Sequence, residues 1–300
     1  MTMQRHVATP VLNIAYRETG PAHGPADGPA VILLHGFPYS AHGYDEVAPL
    51  VAAKGHRVIV PDLRGYAGTR FLADDTMRSG EQAALGKDLL DLLDALGIES
   101  AVLGGYDWGG RAACIVSALW PERVRGLVSS NGYNIQNLAT ADRPGPPDRE
   151  MRLWYQFYFH LDRGRAGLEA NRYELCKLLW TLWSPSWAFD EATYAMSAKA
   201  FENPDFVDVV IQSYRHRYGN APGDPVYAEI EAQLAKQPTI MVPTIDLQGA
   251  DDGVNPPATS DGHARHFGGR YERRVLAGVG HNVPQEAPRV FADAVLELCG

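Results

Sequence analysis

Short apolar runs alternate with helical patterns along most of the chain. Residues 30–34 form a continuous apolar run, which is typical of a strand buried on both faces. Leucines at helical spacing from Leu85 to Leu96 predict an amphipathic helix that ends at Gly97. Strands that alternate with helices predict parallel βαβ units, and therefore a mostly parallel, doubly wound α/β sheet. The predicted strands cover residues 11–18, 30–34, 57–60, 101–103, 124–129, 239–247 and 271–276, and the other predicted core helices cover 44–54, 111–120 and 286–298.

The alternation stops between residues 141 and 236. Residues 141–147 contain three prolines and a glycine, a composition typical of a linker. From residue 148 to about 236 the patterns are helical and rich in aromatic residues, without a convincing strand. We expect residues 1–140 and 237–300 to form the core, and residues 141–236 to form an inserted helical cap, or lid, domain over the carboxyl ends of the strands. A loop rich in glycine and proline is expected at residues 21–29.

Composition narrows the class of protein. The chain has 300 residues, of which 45% are hydrophobic and 21% charged, so it is long enough to bury a full core. Its net charge of −9 argues against a nucleic-acid partner, which would need a basic face. No apolar stretch approaches the ~18 residues of a membrane span, and the first residues do not form the apolar region of a signal peptide.

The cysteines and histidines give no sign of a disulfide framework or a metal site. Cys114, Cys176 and Cys299 lack motif spacing and are interpreted as free thiols in a reducing compartment, the cytoplasm. Cys114 is expected in the core rather than in a site. Because no His, Cys and Asp residues cluster at metal-ligand spacing, we expect neither a metal nor a cofactor. The oligomeric state is left open, and a homo-oligomer is compatible with the sequence.

Residues 104–110 carry the pattern of a nucleophile elbow, the sharp turn that joins a strand to a helix. Gly105 and Gly109 lie two residues before and two after Asp107, at positions where a side chain would make the strand and the helix clash. The central residue is predicted to have a strained backbone and a side chain exposed above the sheet. Many hydrolases have serine there, so Asp107 is the candidate nucleophile.

Two later loops supply candidate partners for Asp107. Asp252 follows the strand predicted to end at residue 247, and His281 follows the strand predicted to end at 276. Catalytic groups in open α/β sheets gather at the carboxyl ends of the strands. The chain order of nucleophile, acid and histidine is that of the α/β-hydrolase triad. We favour Asp252 as the acid that holds His281 in one tautomer, with Asp251 as the alternative.

These motifs together resemble the α/β-hydrolase-fold epoxide hydrolases and, behind them, the related haloalkane and haloacetate dehalogenases. The resemblance covers nearly the whole chain and implies the α/β-hydrolase fold, with an inserted cap and an aspartate nucleophile. It does not by itself separate epoxides from alkyl halides as substrates. The matching pieces are His35-Gly36-Phe37-Pro38, Asp62-Leu63-Arg64-Gly65-Tyr66, Asp107-Trp108-Gly109-Gly110, the Gly-x-x-Asp that ends at Asp252, and Gly280-His281 followed by Gln285-Glu286-Ala287-Pro288.

An aspartate nucleophile suits attack on a saturated carbon. With an ordinary pKa of ~3.9, the carboxyl group of Asp107 is already ionised at neutral pH and needs no base. Attack on an epoxide carbon gives an alkyl ester, whereas serine would give an ether that water could not hydrolyse. We expect His281 to deprotonate a water that cleaves the ester. The backbone N–H groups of Phe37 and Trp108 are the expected oxyanion hole, where one donor typically contributes ~2.7–4 kcal/mol.

The resemblance also implies two cap tyrosines that hydrogen-bond the epoxide oxygen and protonate it. Tyr155 lies in a Tyr-Gln-x-Tyr-Phe context that matches the family. Tyr214 precedes an arginine as in the family, but Ser213 stands where an aromatic residue is usual, so Tyr218 remains a competitor. Tyrosine suits this role because its pKa of ~10 keeps the phenol protonated at pH 7.

For other residues near the predicted site, more than one role is compatible with the sequence. Phe37, Pro38 and the Trp108 side chain are expected to line the substrate pocket, although in dehalogenases the indole N–H of this tryptophan binds halide. His35 is expected to brace its loop. Arg111 is favoured as structural, although haloacid-cleaving relatives use arginines near this position to clamp a substrate carboxylate.

The sequence therefore predicts a cofactor-independent epoxide hydrolase that forms a vicinal diol from an apolar, aryl or bulky epoxide and water. The first alternative is a hydrolytic dehalogenase, and its haloacid branch is the nearer rival because it also has His-Gly-Phe-Pro. The second is a non-catalytic ligand-binding member of the fold, which usually shows a damaged triad. An ordinary esterase is disfavoured because the chain contains no Gly-x-Ser-x-Gly.

Overall fold

A computed structural model describes residues 4–21 and 28–300 of the chain, and within them nine strands form a single sheet. Parallel pairing joins β4-β3-β6-β7-β8-β9, while β1, β2 and β5 extend one side with antiparallel pairing. The mostly parallel sheet confirms the predicted α/β-hydrolase fold class. The strands are β1 (Gln4–Ala8), β2 (Leu12–Thr19), β3 (Ala30–Leu34), β4 (Val58–Pro61), β5 (Arg70–Phe71), β6 (Ala101–Gly105), β7 (Val124–Ser130), β8 (Thr244–Gly249) and β9 (Tyr271–Leu276).

Helices cover both faces of this sheet. The first and last core helices pack together on one face, and α2 packs beside α3 on the other. The apolar run of β3 is consequently buried from Val31 to Leu34, as the sequence predicts for a central strand. The core helices are α1 (Val47–Ala52), α2 (Gln82–Ala95), α3 (Asp107–Leu119), α10 (Val283–Glu286) and α11 (Pro288–Cys299).

A run of helices separates β7 from β8, and we call it the helical insertion (residues 147–234). The structure describes no strand within it. The predicted division into a core and a cap domain at residues 140/141 and 236/237 stays a prediction. The insertion comprises α4 (Pro147–Arg152), α5 (Trp154–Tyr158), α6 (Asp162–Trp183), α7 (Glu191–Ala198), α8 (Phe206–Arg217) and α9 (Ala228–Leu234).

A buried arginine of the core contacts the helical insertion. Arg64 donates two hydrogen bonds to Asp88 on α2, at 2.6 and 2.7 Å, and a third at 3.1 Å to the Tyr227 hydroxyl. The Arg64 side chain is fully buried, so loss of either partner would leave an unpaired charge in the interior. Arg64 therefore links the insertion to the core through its hydrogen bond to Tyr227.

The structure differs from the sequence prediction where strands are exposed or where prolines interrupt the backbone. The edge strand β1 is mostly exposed and lacks an apolar run, so its sequence pattern does not predict a strand. The strand predicted over 239–247 begins only at Thr244, because Pro238 and Pro243 have no N–H for a ladder. The helix predicted over 286–298 begins at Pro288, because proline has no backbone N–H to continue a preceding turn and is favoured at the first position of a helix. The predicted loop over 21–29 lies largely outside the described residues.

None of the helices within residues 4–21 and 28–300 combines the length and the apolar character that a membrane crossing requires.

Candidate active site

Asp107 is the first residue of α3 and follows β6 after a single residue, Tyr106. Its φ of +50° falls in the left-handed region, where a residue other than glycine is strained. A Cβ atom on Gly109 would lie 2.1 Å from the Leu34 carbonyl oxygen, and one on Gly105 would lie 2.6 Å from the Gly109 carbonyl carbon. The glycines on either side of Asp107 are therefore required by close backbone contacts, as the elbow prediction states.

Two backbone donors hold one oxygen of the Asp107 carboxylate. Oδ1 accepts hydrogen bonds of 2.7 Å from the N–H of Phe37 and 2.7 Å from the N–H of Trp108. A Cβ on Gly36 would approach the Cβ of Asp107 to 2.4 Å, so this loop lies directly against the elbow. The donors predicted for the oxyanion hole thus both point at Asp107.

His35 positions the loop that carries the Phe37 donor. Its Nδ1–H donates to the Gly36 carbonyl at 3.0 Å, and its Nε2 accepts from the Leu63 N–H at 3.1 Å. Burial lowers the pKa of His35 to about 4, so the ring is neutral and keeps one donor and one acceptor. His35 therefore braces the loop and does not touch the Asp107 carboxylate.

His281 lies between the two acidic residues of the predicted triad. Its Nδ1 hydrogen-bonds Asp252 Oδ2 at 2.7 Å, and its Nε2 faces Asp107 Oδ2 at 3.8 Å. That second distance is longer than a hydrogen bond, and Nε2 has no hydrogen-bond partner among the described residues. The ring is held on one side and free on the side that faces Asp107.

Asp252 is fixed by several donors, whereas Asp251 is exposed to solvent. Oδ1 of Asp252 accepts from the backbone N–H groups of Val254 at 2.9 Å and Asn255 at 2.7 Å. Oδ2 accepts from the Asn131 side-chain amide at 2.9 Å as well as from His281. The structure places Asp252 rather than Asp251 against the histidine. Asn131, at the end of β7, is a site residue that sequence reasoning missed.

The loop that carries His281 is anchored by Glu286. This carboxylate accepts from the backbone N–H of Gly280 at 2.6 Å and of Asn282 at 2.9 Å. It also accepts from the hydroxyl of Ser184, at the end of α6, at 2.6 Å. Ser184 Oγ in turn accepts from the His281 N–H at 3.1 Å. The helical insertion therefore helps to set the position of the histidine.

Electrostatics couple His281 to both carboxylates. Burial disfavours the imidazolium, but the charges of Asp252 and Asp107 outweigh it and raise the pKa of His281 to about 10. Burial also disfavours the Asp107 carboxylate, yet His281, Arg111 and the Phe37 N–H hold its pKa below the ordinary value. Asp107 is therefore ionised at neutral pH while it faces a protonated imidazole.

Tyr155 reaches the site from α5, and its hydroxyl is oriented by the next residue. The Gln156 side-chain N–H donates to the Tyr155 oxygen at 2.8 Å, which leaves the phenolic proton available for another acceptor. Burial raises the pKa of Tyr155 to about 12, although Arg217 opposes this shift. The phenol is therefore protonated across the neutral range and able to act as a donor.

Tyr214 and its competitor Tyr218 occupy different surroundings. Tyr214 is buried, with its ring centroid 5.4 Å from that of Tyr155 and 6.0 Å from that of Trp108. Burial, reinforced by Tyr155 and Asp107, raises the pKa of Tyr214 well above its usual value. The Tyr218 hydroxyl instead donates to Gln156 Oε1 at 2.8 Å. The structure thus brings Tyr214, rather than Tyr218, next to Tyr155.

A cavity of about 450 Å³ opens beside Asp107, between the sheet edge and the helical insertion. Tyr155 and Trp183 contribute aromatic walls, while amide and arginine side chains form much of the rest. Only part of this lining is apolar, so the cavity matches only in part the apolar substrate that the aromatic insertion predicted. The polar part is formed mainly by Asn131, Asn134, Gln136, Asn137, Gln156, Asn255, Arg111, Arg143, Arg149 and Arg217.

The predicted pocket residues Phe37, Pro38 and Trp108 do not line this cavity. Phe37 stacks on Trp108 with ring centroids 5.7 Å apart, so both rings are used in packing. The Pro38 carbonyl accepts a 2.7 Å hydrogen bond from the Trp180 indole. Close packing under the insertion therefore withdraws these side chains from the cavity, although Phe37 and Trp108 still present their backbone donors.

Arg111 lies in the cavity lining, which the favoured structural interpretation of the sequence did not anticipate. Arg217, Gln136 and Trp183 were also missed as lining residues. Arg217 ends α8 and Gln136 lies in the segment after β7, so they meet Arg111 only through the tertiary fold. In the sequence, the arginines themselves were the only indication of this part of the cavity. Arginine is too common on protein surfaces to identify a site from sequence.

One group within the described residues is close enough to hold a metal ion, and it lies away from the triad. Glu81, His216 and Glu231 bring ligand atoms within 4.8 Å of one another. Glu81 accepts from the Asp224 N–H at 3.2 Å, and Glu231 accepts from the Ala83 N–H at 3.0 Å. Because these carboxylates already have protein donors, the group is explained as a junction between α2, α8 and α9.

Comparison with known proteins gives concordant results over most of the chain. Residues 29–288 match the profile of a family described as the alpha/beta hydrolase fold. Epoxide hydrolase A of Mycobacterium tuberculosis is 28% identical over 92% of this chain and 91% of that protein. The AB hydrolase superfamily protein YfhM of Bacillus subtilis is 30% identical over 71% of this chain and 74% of its own. A crystal structure from Klebsiella pneumoniae, provisionally named an epoxide hydrolase, is 47% identical and covers 98% of this chain and 96% of its own, with a TM-score of 0.94.

Proposed function

This chain belongs to the alpha/beta hydrolase fold family, and from that premise we propose that it is an epoxide hydrolase that acts through a covalent ester on Asp107. The observation that carries the proposal is the juxtaposition at the elbow. Asp107 Oδ2 faces His281 Nε2 at 3.8 Å, and two buried phenols, those of Tyr155 and Tyr214, lie beside the same elbow. Relatives named epoxide hydrolases support the assignment.

In the first step Asp107 acts as the nucleophile. Its free oxygen, Oδ2, attacks an epoxide carbon, and the ring C–O bond breaks as the ester bond forms. The departing oxygen takes a proton from Tyr155 or Tyr214. Gln156 supports this role for Tyr155, because it occupies the phenolic oxygen as a donor and leaves the phenolic proton for the substrate.

In the second step His281 acts as the general base for water. Water adds to the ester carbonyl carbon as its proton passes to His281, and the N–H groups of Phe37 and Trp108 are aimed at the position of the resulting oxyanion, Asp107 Oδ1. The intermediate collapses as the C–O bond to the diol breaks; the diol oxygen takes the proton from His281, and the carboxyl proton of Asp107 returns to the imidazole. Esterification removes the charge of Asp107, which is one of the causes that raise the pKa of His281. The imidazole therefore gives up its proton more readily in the ester than in the free enzyme. The tyrosinate left by the first step accepts this proton, so that a neutral imidazole is present when water attacks. Asp252 keeps Nδ1 protonated throughout.

The direct test is a panel of epoxides and alkyl halides scored for both diol and halide. We expect diol formation from epoxides in the absence of added metal or cofactor, with halide release slower by at least tenfold. Product can be measured by chromatography and halide by ion-selective detection. Halide release without diol formation would overturn the proposal.

A hydrolytic dehalogenase is the second candidate, and one observation favours it. The Trp108 indole Nε1–H is buried and has no hydrogen-bond partner among residues 4–21 and 28–300. An unpaired buried donor is uncommon and suits an acceptor such as halide, although the Trp108 side chain lies outside the lining of the cavity. The two candidates differ at the leaving group, because an alkoxide must be protonated whereas a halide leaves as an anion.

The tyrosines provide a second measurement that separates the candidates. The double substitution Tyr155→Phe/Tyr214→Phe is expected to lower kcat for diol formation by about 10²-fold or more, because no phenol remains to protonate the alkoxide. Each single variant should lose less, since one donor remains. Tyr218→Phe is the matched control, because its hydroxyl already donates to Gln156. Undiminished diol formation by the double variant would exclude the tyrosines from ring opening.

A further inference from the structure

The cavity beside Asp107 carries a surplus of positive charge. Its lining contains four arginines and only two carboxylates, those of Asp107 and Glu150. His263 adds no charge at neutral pH, because burial and neighbouring cations lower its pKa to about 4. The whole chain, by contrast, has a net charge of −9. A positive cavity in a negative protein concentrates anions at the cavity, so its field favours an anionic ligand.

Arg111 is a buried cation that makes no salt bridge with the described residues. It is only 7% exposed, and no carboxylate oxygen lies within 4.0 Å of its guanidinium among the described residues. Its one hydrogen bond to a backbone group, from Nε to the Asn134 carbonyl, is long at 3.4 Å. Burial and the nearby charge of Arg217 lower the pKa of Arg111 to about 10, although Asp107 opposes them. A cation in such surroundings costs free energy unless an anion joins it.

Arg217 meets Arg111 from the other side of the cavity. Its guanidinium lies 4.9 Å from the Tyr214 ring centroid, and its Nη1 donates to Gln156 Oε1 at 3.0 Å. When the Gln136 amide is oriented with its oxygen toward both arginines, that oxygen accepts from Arg111 Nη2 at 3.2 Å and from Arg217 Nη2 at 2.6 Å. A neutral amide oxygen therefore bridges two cations where a carboxylate oxygen would complement them better.

We propose that Arg111 and Arg217 bind a carboxylate on the substrate, so that this protein acts on epoxides that carry an acid group. The guanidinium fork matches a planar carboxylate and can bind it through two parallel hydrogen bonds. Arg217 also touches Gln156, which orients Tyr155, so the acid end and the epoxide oxygen would be held by one connected set of donors. This inference rests on the proposed function and names its substrate class.

The test compares two substrates that have the same shape and differ in charge, trans-3-phenylglycidate and trans-3-phenylglycidamide. The wild-type protein is expected to show a kcat/KM at least tenfold higher for the acid, mainly through a lower KM. Arg217→Gln and Arg111→Gln should each reduce that preference at least tenfold. Arg125→Gln is the matched control, because it removes an exposed arginine on β7 whose side chain, within the described part of the chain, hydrogen-bonds Ser100 alone. It should keep the preference.

Each outcome of this comparison supports or overturns a stated claim. Equal turnover of acid and amide by the wild-type protein would overturn the carboxylate site and leave the epoxide hydrolase proposal standing. If the protein hydrolysed none of the three compounds, that is, the acid, the amide and a simple epoxide such as styrene oxide, the proposed function itself would be overturned. If Arg217→Gln lowered kcat equally for both substrates, Arg217 would act through Gln156 and Tyr155, and the binding claim would fail.

A binding measurement on the wild-type protein guards against variants that do not fold. Phenylpropanoate is expected to inhibit hydrolysis of styrene oxide competitively, with an inhibition constant at least tenfold lower than that of phenylpropanamide. The inhibition should weaken as salt is raised, because a charge interaction is screened. Equal inhibition by the acid and the amide would overturn the carboxylate site without reference to any substitution.

Discussion

Replacement of Asp107 with asparagine is expected to lower diol formation by roughly 10⁴-fold or more, because an amide cannot attack the epoxide carbon. Asparagine is preferred to alanine for this test. It tolerates the left-handed backbone better than most residues, and φ at this position is +50°. Its side-chain oxygen can still accept from the Phe37 and Trp108 N–H groups. The variant therefore removes the nucleophile with little change to the elbow. Steady-state diol formation measures the effect, and an intact mass spectrum verifies that the amide is retained.

The matched control is Asp251→Asn, which removes an exposed carboxylate next to Asp252. It makes the same chemical change and should leave diol formation within a few-fold of the wild type. Thermal unfolding of both variants would verify that the fold is kept. Diol formation by Asp107→Asn within tenfold of the wild-type rate would contradict the nucleophile assignment. A large loss in Asp251→Asn would contradict the choice of triad acid.

The elements that carry the proposed triad were predictable because each has a local pattern. Asp107 is flanked by glycines that the backbone requires, and Asp252 and His281 each follow a strand that the sequence predicts, β8 and β9. In a parallel sheet such positions share one edge, so sequence alone brings the three residues to the same place. Two predicted donors, the N–H groups of Phe37 and Trp108, follow from the same logic, since they are backbone groups of loops at that edge.

The shape of the cavity was not predictable, because it depends on how the helical insertion packs on the core. Whether the Phe37 ring faces the cavity or stacks on Trp108 is decided by the helices above it, and no local pattern reports that choice. The same holds for the meeting of Arg111 with Arg217, which are far apart in the chain. The aromatic composition of the insertion suggested an apolar pocket, but many of those rings are used for packing among themselves.

Replacement of His281 with glutamine is expected to stop the reaction at the ester. Asp107 needs no base to attack, so the first step should still occur, whereas water has no general base in the second. Turnover should fall by about 10²- to 10⁴-fold, the usual contribution of general base catalysis. Covalent protein should then accumulate. The mass distinguishes the leaving group, because an epoxide adds its whole mass to the protein, whereas an alkyl halide adds its mass less that of the hydrogen halide.

The site of the adduct is the decisive part of this measurement. Peptide mapping should place the added mass on the peptide that contains Asp107, and the double variant Asp107→Asn/His281→Gln should acquire none. In the wild-type protein the ester should accumulate more at low pH than at high pH. The reason is that His281 must be neutral to deprotonate water, and protons hold it as imidazolium. An adduct on another residue, or diol formation by His281→Gln at the wild-type rate, would exclude the two-step mechanism. A full epoxide mass on Asp107 would identify both the nucleophile and the bond that it opens.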